Sequence, residues 1–247
     1  MISKGLVRAA LALAVIFSGA GTGQAFAAKA QPFNPAQKAA IENIVRDYIL
    51  EHPEILPQAM DNLQKRMTEQ GITRNYDQIF NDPDSVVGGN PHGNVTIVEF
   101  FDYTCGYCKL MNPALNQLVK SDGKIRFIYK EWPVRGSVSD FAAHAAIAAV
   151  AQGKYIQFHN ALYAAQGELS NERVLNIARQ QGLDLDKLKV DMSSAKTSAI
   201  IRRNRQLGQD LGFNGTPTFI VGREIIPGAV SLDEMAAAVK RARYAAR

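Results

Sequence analysis

The chain has 247 residues, with 28 lysines and arginines against 23 aspartates and glutamates, for a formal charge of +5. That basicity is too mild to mark a nucleic-acid surface, and beyond residue 27 no apolar stretch approaches the length of a membrane span. Two cysteines and four histidines exclude a disulfide-stapled framework and leave a four-ligand zinc site short of residues.

Residues 1–27 read as a secretory signal. Lys4 and Arg8 precede an apolar run over 9–17, and small residues end in Ala25-Phe26-Ala27, an A-x-A cleavage site. The run is too short to span a bilayer. Cleavage after Ala27 takes 27 residues and two positive charges from a chain at +5, leaving 220 residues at +3. The expected destination is the periplasm, an oxidising compartment in which a single pair of cysteines has reactive rather than structural value.

Residues 28–84 read as an N-terminal helical oligomerisation segment. Asn34-Pro35 offers an N-cap followed by proline at the first helical position, and Ile41, Ile44, Val45, Tyr48 and Ile49 share one helical face. His52-Pro53 interrupts it, because the residue before proline is pushed out of the α region. A second helix carries Leu56, Met60, Leu63 and Met67 on a narrow stripe flanked by Asp61, Gln64, Lys65, Arg66 and Glu69, the pattern of a coiled-coil seam. So narrow a stripe buries little unless copies meet, and a homotrimer is expected, with a dimer as the alternative. Gly71, Asn81-Asp82-Pro83-Asp84, Gly88-Gly89 and Asn90-Pro91 predict turns through 71–94, with a short edge strand at Ser85-Val86-Val87.

Residues 85–247 read as one α/β domain. The β-branched and aromatic run 95–101 predicts a buried strand, and Leu110, Met111, Leu115 and Leu118 predict a helix through 119, with Pro113 inside it. Cys105-Gly106-Tyr107-Cys108 falls where strand hands over to helix. Unpartnered N–H groups and the positive end of the helix dipole stabilise a thiolate there. Cys105 is therefore expected to titrate between roughly 3.5 and 7.5, with Cys108 staying protonated. Haem attachment is excluded because Lys109, not histidine, follows the second cysteine, and a disulfide closing so short a loop would stabilise little. Redox chemistry remains, and it calls for no bound cofactor.

Ile125, Phe127 and Tyr129 alternate with Arg126, Ile128 and Lys130 in a second strand, parallel to the first through a βαβ crossover. From about 138 to 211 every segment has helical periodicity, so a helical lobe is inserted before strands at Thr218-Phe219-Ile220-Val221 and Glu224-Ile225-Ile226. Ser231 caps a final helix over 232–245 with Asp233 and Glu234 in its first turn. His144 and His159 fall in the lobe and read as packing or surface residues.

A C-x-x-C at a helix start with Gly215-Thr216-Pro217-Thr218-Phe219 far downstream resembles the thioredoxin fold of DsbA-like periplasmic oxidoreductases. The N-terminal helices with Tyr48-Ile49-Leu50-Glu51-His52-Pro53-Glu54 resemble the ScsC branch. The resemblance implies Cys105 as nucleophile, Cys108 as resolving thiol, Pro217 as the cis-proline facing them, Thr216 as donor of backbone groups to a substrate strand, and Glu99 as the buried acid beside the pair. Gly106-Tyr107 and Thr216 depart from the Pro-His and Val of strongly oxidising DsbA proteins and are similar to the isomerase DsbC. The expected activity is disulfide isomerisation in secreted proteins, served by a membrane thiol reductant or oxidant. Dithiol oxidase or reductase activity keeps the same residues, and Cu(I) held by Cys105 and Cys108 is the alternative from another class. A redox-inert chaperone would survive replacement of Cys105.

Overall fold

The computed structural model describes residues 33–245; the expected signal segment 1–27 lies outside them. The chain divides into two compact units, Met1–Pro57 and Gln58–Arg247. In the first, α1 (Pro35–Glu51) starts at Asn34, which accepts from the Gln37 N–H while the Gln37 side chain accepts from the Asn34 N–H. This capping box satisfies two orphan donors. The helix ends at His52, before Pro53, and buries none of its residues.

The second unit holds all but the first turn of α2 (Ile55–Arg74), then α3 (Tyr76–Phe80) and a five-stranded sheet. The strands are β1 (Val86–Gly89), β2 (Val95–Phe101), β3 (Ile125–Glu131), β4 (Thr218–Val221) and β5 (Glu224–Pro227), in the order β1-β3-β2-β4-β5. β2 and β3 run parallel and every other pair is antiparallel. The parallel pair is joined through α4 (Gly106–Asp122), which continues across Pro113 and closes on Gly123 at φ +65°, a conformation that glycine adopts cheaply. Between β3 and β4 lie α5 (Ser137–Ala148), a 3₁₀ turn (Ala149–Gln152), α6 (Tyr155–Ala164), α7 (Asn171–Gln180), α8 (Leu185–Met192) and α9 (Ala195–Asp210), and α10 (Leu232–Ala245) follows β5. Among the described residues no helix is long and apolar enough to cross a membrane.

Both faces of the sheet are covered. Because strand side chains alternate, Ile97 and Phe101 of β2 enter the larger core with Cys105, Cys108, Met111 and Leu115, whereas Val98 and Phe100 enter a second core with Ile128, Trp132, Leu207 and Ile220. Ile72, Ile79 and Phe80 complete the second core.

That packing differs from the sequence expectation in one stretch. The expected turn at Gly71 is absent: α2 runs through it to Arg74, and α3 occupies part of the stretch expected to be turns. Gly71 is buried because it is a packing glycine; a Cβ there would lie 3.4 Å from the Leu211 side chain. The second compact unit begins at Gln58, and its second core takes Ile72, Ile79 and Phe80 beneath the sheet. Lys130, 1% exposed on β3, fastens this segment by donating to the Gln78 carbonyl (2.7 Å) and to Asp82 (2.9 Å). Arg203 holds Asp84 at 2.6 Å.

Candidate active site

Cys105 occupies the N-cap of α4 with an extended backbone, φ −82° and ψ 115°. Its N–H donates to the Asp102 carbonyl (3.0 Å), and its carbonyl accepts from the Lys109 N–H (3.1 Å). Across the site, the Thr216–Pro217 peptide bond is cis. As a thiol, Cys105 Sγ donates to the Thr216 carbonyl at 3.1 Å. As a thiolate the sulfur instead accepts from the Cys108 thiol, the Thr216 side chain and the N–H groups of Cys108 and Tyr107, and these bonds outweigh burial to bring its pKa down to about 5. Burial pushes the Cys108 thiol far above its ordinary range, reinforced by its bond to Cys105 and by the charge of Glu99. The two sulfurs are thus driven apart in acidity by one environment.

Glu99 points to the face of β2 that carries Ile97 and Phe101, and is 2% exposed. Burial, with a smaller contribution from the Cys105 charge, raises its pKa to about 8. A carboxyl that exchanges its proton near neutrality can serve a buried thiol that must lose one.

The structure therefore brings Cys105, Cys108 and Thr216 into contact, joins Pro217 to them through the cis bond, and couples Glu99 electrostatically to the pair.

Three further polar groups organise the site, of which sequence reasoning names only His159, as a packing or surface residue. Asp102, 1% exposed, accepts from the Thr104 N–H and hydroxyl (both 2.8 Å), the Val134 N–H (2.9 Å), the Arg135 N–H (3.1 Å) and the Ser139 hydroxyl. It ties the turn before Cys105 to the start of the helical lobe. Glu131 accepts from the Tyr103 (2.8 Å) and Tyr155 (2.7 Å) hydroxyls, and burial pushes its pKa well above the carboxylate range. His159, fully buried among Phe101, Tyr103, Tyr129, Tyr155 and Tyr163, lies 3.0 Å from the Tyr103 hydroxyl, and burial lowers its pKa to about 3, so the ring is neutral. An aspartate placed three residues before a C-x-x-C was the available signal for the first of these. For Glu131 there was none, and for His159 its place in the helical lobe pointed to packing and to nothing more.

Two cavities lie at the site, one lined by Cys105 and one by its partner Thr216. One of about 400 Å³ on the lobe side is lined by Tyr103, Thr104, Lys109, Arg135, Leu162 and Glu168 as well as Cys105 itself. The other, about 650 Å³, lies on the Thr216 side.

The model of the family described as "Thioredoxin" matches residues 81–241, more than half of the chain. The chain belongs to the thioredoxin family. A second family model, "Copper resistance protein ScsC N-terminal domain", matches residues 37–70, which cover most of α1 and α2. Among solved structures, a thioredoxin-like oxidoreductase from Silicibacter pomeroyi is 48% identical at a TM-score of 0.67, covering 68% of this chain and 97% of that one. A linker-deletion variant of Proteus mirabilis ScsC is 25% identical at a TM-score of 0.74, covering 87% and 99%. The chain is also similar to the Na(+)/H(+) antiporter NhaA 3 of Salinispora tropica, 31% identical over 67% of this chain and 26% of the antiporter. The chain spans about a quarter of the length of the antiporters it matches.

Proposed function

We propose that this thioredoxin-family protein is a periplasmic thiol–disulfide oxidoreductase acting on exported proteins, and that its main reaction is disulfide isomerisation. The observation that carries the reading is the opposed acidity of Cys105 and Cys108 at the Thr216–Pro217 loop. The Cys105 thiolate attacks one sulfur of a substrate disulfide, forming a Cys105–substrate disulfide as the substrate bond breaks and a substrate thiolate leaves. A different substrate thiolate then attacks the mixed disulfide, making the correct bond and returning the Cys105 thiolate, with no net oxidation. If none arrives, Cys108 gives its proton to Glu99 and attacks Cys105. The substrate leaves as a thiolate that takes its proton from water, and the Cys105–Cys108 disulfide is reduced again by a membrane thiol reductant.

Stabilising the thiolate stabilises the reduced form. Together with Gly106-Tyr107 and Thr216, this supports a reduction potential near the isomerase value of about −180 mV rather than the thioredoxin value of about −270 mV. Refolding of a scrambled disulfide-containing protein, alongside equilibration with glutathione, tests the reading. A thioredoxin-like potential with no unscrambling identifies a reductase instead.

Isomerisation gains from several Cys105 thiolates held around one substrate at high effective concentration. Ile44, Val45, Tyr48 and Leu50 of α1 and Leu56, Met60, Leu63 and Met67 of α2 are each more than half exposed, which supports assembly of the chain as a homotrimer through these helices. Light scattering on the protein with Met60→Glu and Leu63→Glu tests it, the expected result being loss of oligomer and of unscrambling while dithiol exchange continues.

The family model matched at 37–70 favours a second reading, Cu(I) sequestration. Among the described residues no group of three or more His, Cys, Asp and Glu side chains converges, so Cys105 and Cys108 would supply two soft thiolates alone. Competition with a chromogenic Cu(I) chelator decides it.

A further inference from the structure

We infer that α2 forms one wall of the substrate groove, and that Gln64 and Thr68 select polypeptide segments that are uncharged beside the reacting cysteine. The inference rests on the oxidoreductase reading above.

Gln64 and Thr68 line the cavity of about 650 Å³ whose other walls include Tyr107, Phe213, Thr216 and Pro227. Thr216 connects this groove to the chemistry, because its carbonyl accepts from the Cys105 sulfur at 3.1 Å. The position of α2 over the groove is fixed by its last turns. Ile72 is fully buried in the second core, Gly71 sits against Leu211, itself a groove residue, and the Thr73 hydroxyl accepts from Arg223 at 2.6 Å. Positions 64, 68 and 71 recur at helical spacing on one face, so anchoring Gly71 against Leu211 carries Thr68 and Gln64 across the groove one and two turns earlier. Leu63 and Met67 are displaced by about 100° around the helix. α2 therefore has two jobs on adjacent faces.

Neither the Gln64 nor the Thr68 side chain hydrogen-bonds another described residue, so both keep their donors and acceptors for an occupant. No acidic or basic side chain lines this groove, whereas Lys109, Arg135 and Glu168 line the cavity that Cys105 itself lines. An uncharged wall penalises a charged occupant through desolvation without a partner to offset it. Exposed Tyr107, 66% accessible, adds apolar area at the rim. The occupant with this chemistry is a neutral stretch of polypeptide on one side of the substrate cysteine, its backbone amides facing the amide of Gln64 and the hydroxyl of Thr68.

The test uses the full chain and three probes: dithiothreitol, a disulfide-bonded peptide with neutral residues flanking cysteine, and the same peptide with aspartates there. Gln64→Trp and Thr68→Trp are expected to lower kcat/KM for the neutral peptide at least tenfold more than they lower the rate with dithiothreitol. Gln64→Lys is expected to shift the ratio of aspartate to neutral peptide at least threefold toward aspartate. A photo-crosslinking residue at position 64, in protein trapped as a mixed disulfide by Cys108→Ala, is expected to label the bound peptide. If wild type exchanges normally but the tryptophan variants change the peptide-to-dithiothreitol ratio by less than twofold, or label appears only on the protein's own chain, the wall is overturned and the oxidoreductase reading stands. If wild type exchanges with neither peptide nor dithiothreitol, the oxidoreductase reading falls and this inference falls with it.

Discussion

Cys105 Sγ and the carbonyl oxygen of Thr216 lie 3.1 Å apart, although 111 residues separate them in the chain. The whole helical lobe is inserted between these partners, and antiparallel pairing of β4 with β2 brings them together. The sheet thus assembles the Cys105 site, whose immediate partners come from the start of α4 and from the Thr216 loop.

The first prediction concerns acidity. Alkylation of the reduced protein followed across pH should show Cys105 reacting with a midpoint near 5 and Cys108 unreactive throughout neutral pH, as the opposed shifts require. Equal reactivity of both thiols only near pH 8.5, the value of an ordinary cysteine, contradicts the assignment.

Glu99 should act on resolution more than on attack. Glu99→Gln keeps shape but removes the acceptor for the Cys108 proton, so single-turnover mixing should show resolution of the mixed disulfide slowed about 100-fold, with its formation changed far less. The substitution also has a signed effect on stability. A carboxyl whose pKa rises from 4.5 to about 8 on folding contributes stability that is present below 4.5 and lost as pH rises through 8. The variant lacks this loss, so its stability relative to wild type should increase from pH 4.5 to 8 and then level off.

Asp102→Ala should cost about 3 kcal/mol or more in denaturant unfolding, because it orphans buried or partly buried donors on Thr104, Val134, Arg135 and Ser139. Asp102→Asn keeps an acceptor and should cost less. A loss below about 0.5 kcal/mol for the alanine variant means that the turn is held by other contacts.

Much of this arrangement was legible in the sequence because it rests on local pattern. The strand 95–101, the C-x-x-C at the following helix start and the parallel strand after it depend on alternation and on adjacency in the chain, and the structure has all three. What was not legible depends on partners far along the chain. Gly71 looks like a turn residue until Leu211 is packed against it. Lys130 shares its strand face with Arg126 and alternates with Tyr129 as a surface lysine would, and is buried only because Gln78 and Asp82 fold over it. Glu131 and His159 become a hydrogen-bonded cluster through Tyr103 only when α6 lies beside the end of β3.

Packing in the second core can be probed at Gly208 of α9, where a Cβ would stand 2.6 Å from the Trp132 ring. Gly208→Ala should destabilise by about 1–3 kcal/mol. Trp132, the single tryptophan of the chain, should report it as an altered emission spectrum. Unchanged stability and emission means that the helix and ring separate freely there.

The most direct test of the account is trapping. The protein with Cys108→Ala, incubated with a scrambled disulfide-containing protein, should accumulate a mixed disulfide through Cys105 that excess dithiothreitol releases, and Cys105→Ser with Cys108 intact should trap nothing. Trapping through Cys108, or none by either variant while unscrambling persists, contradicts the assignment of Cys105 as the nucleophile of disulfide exchange.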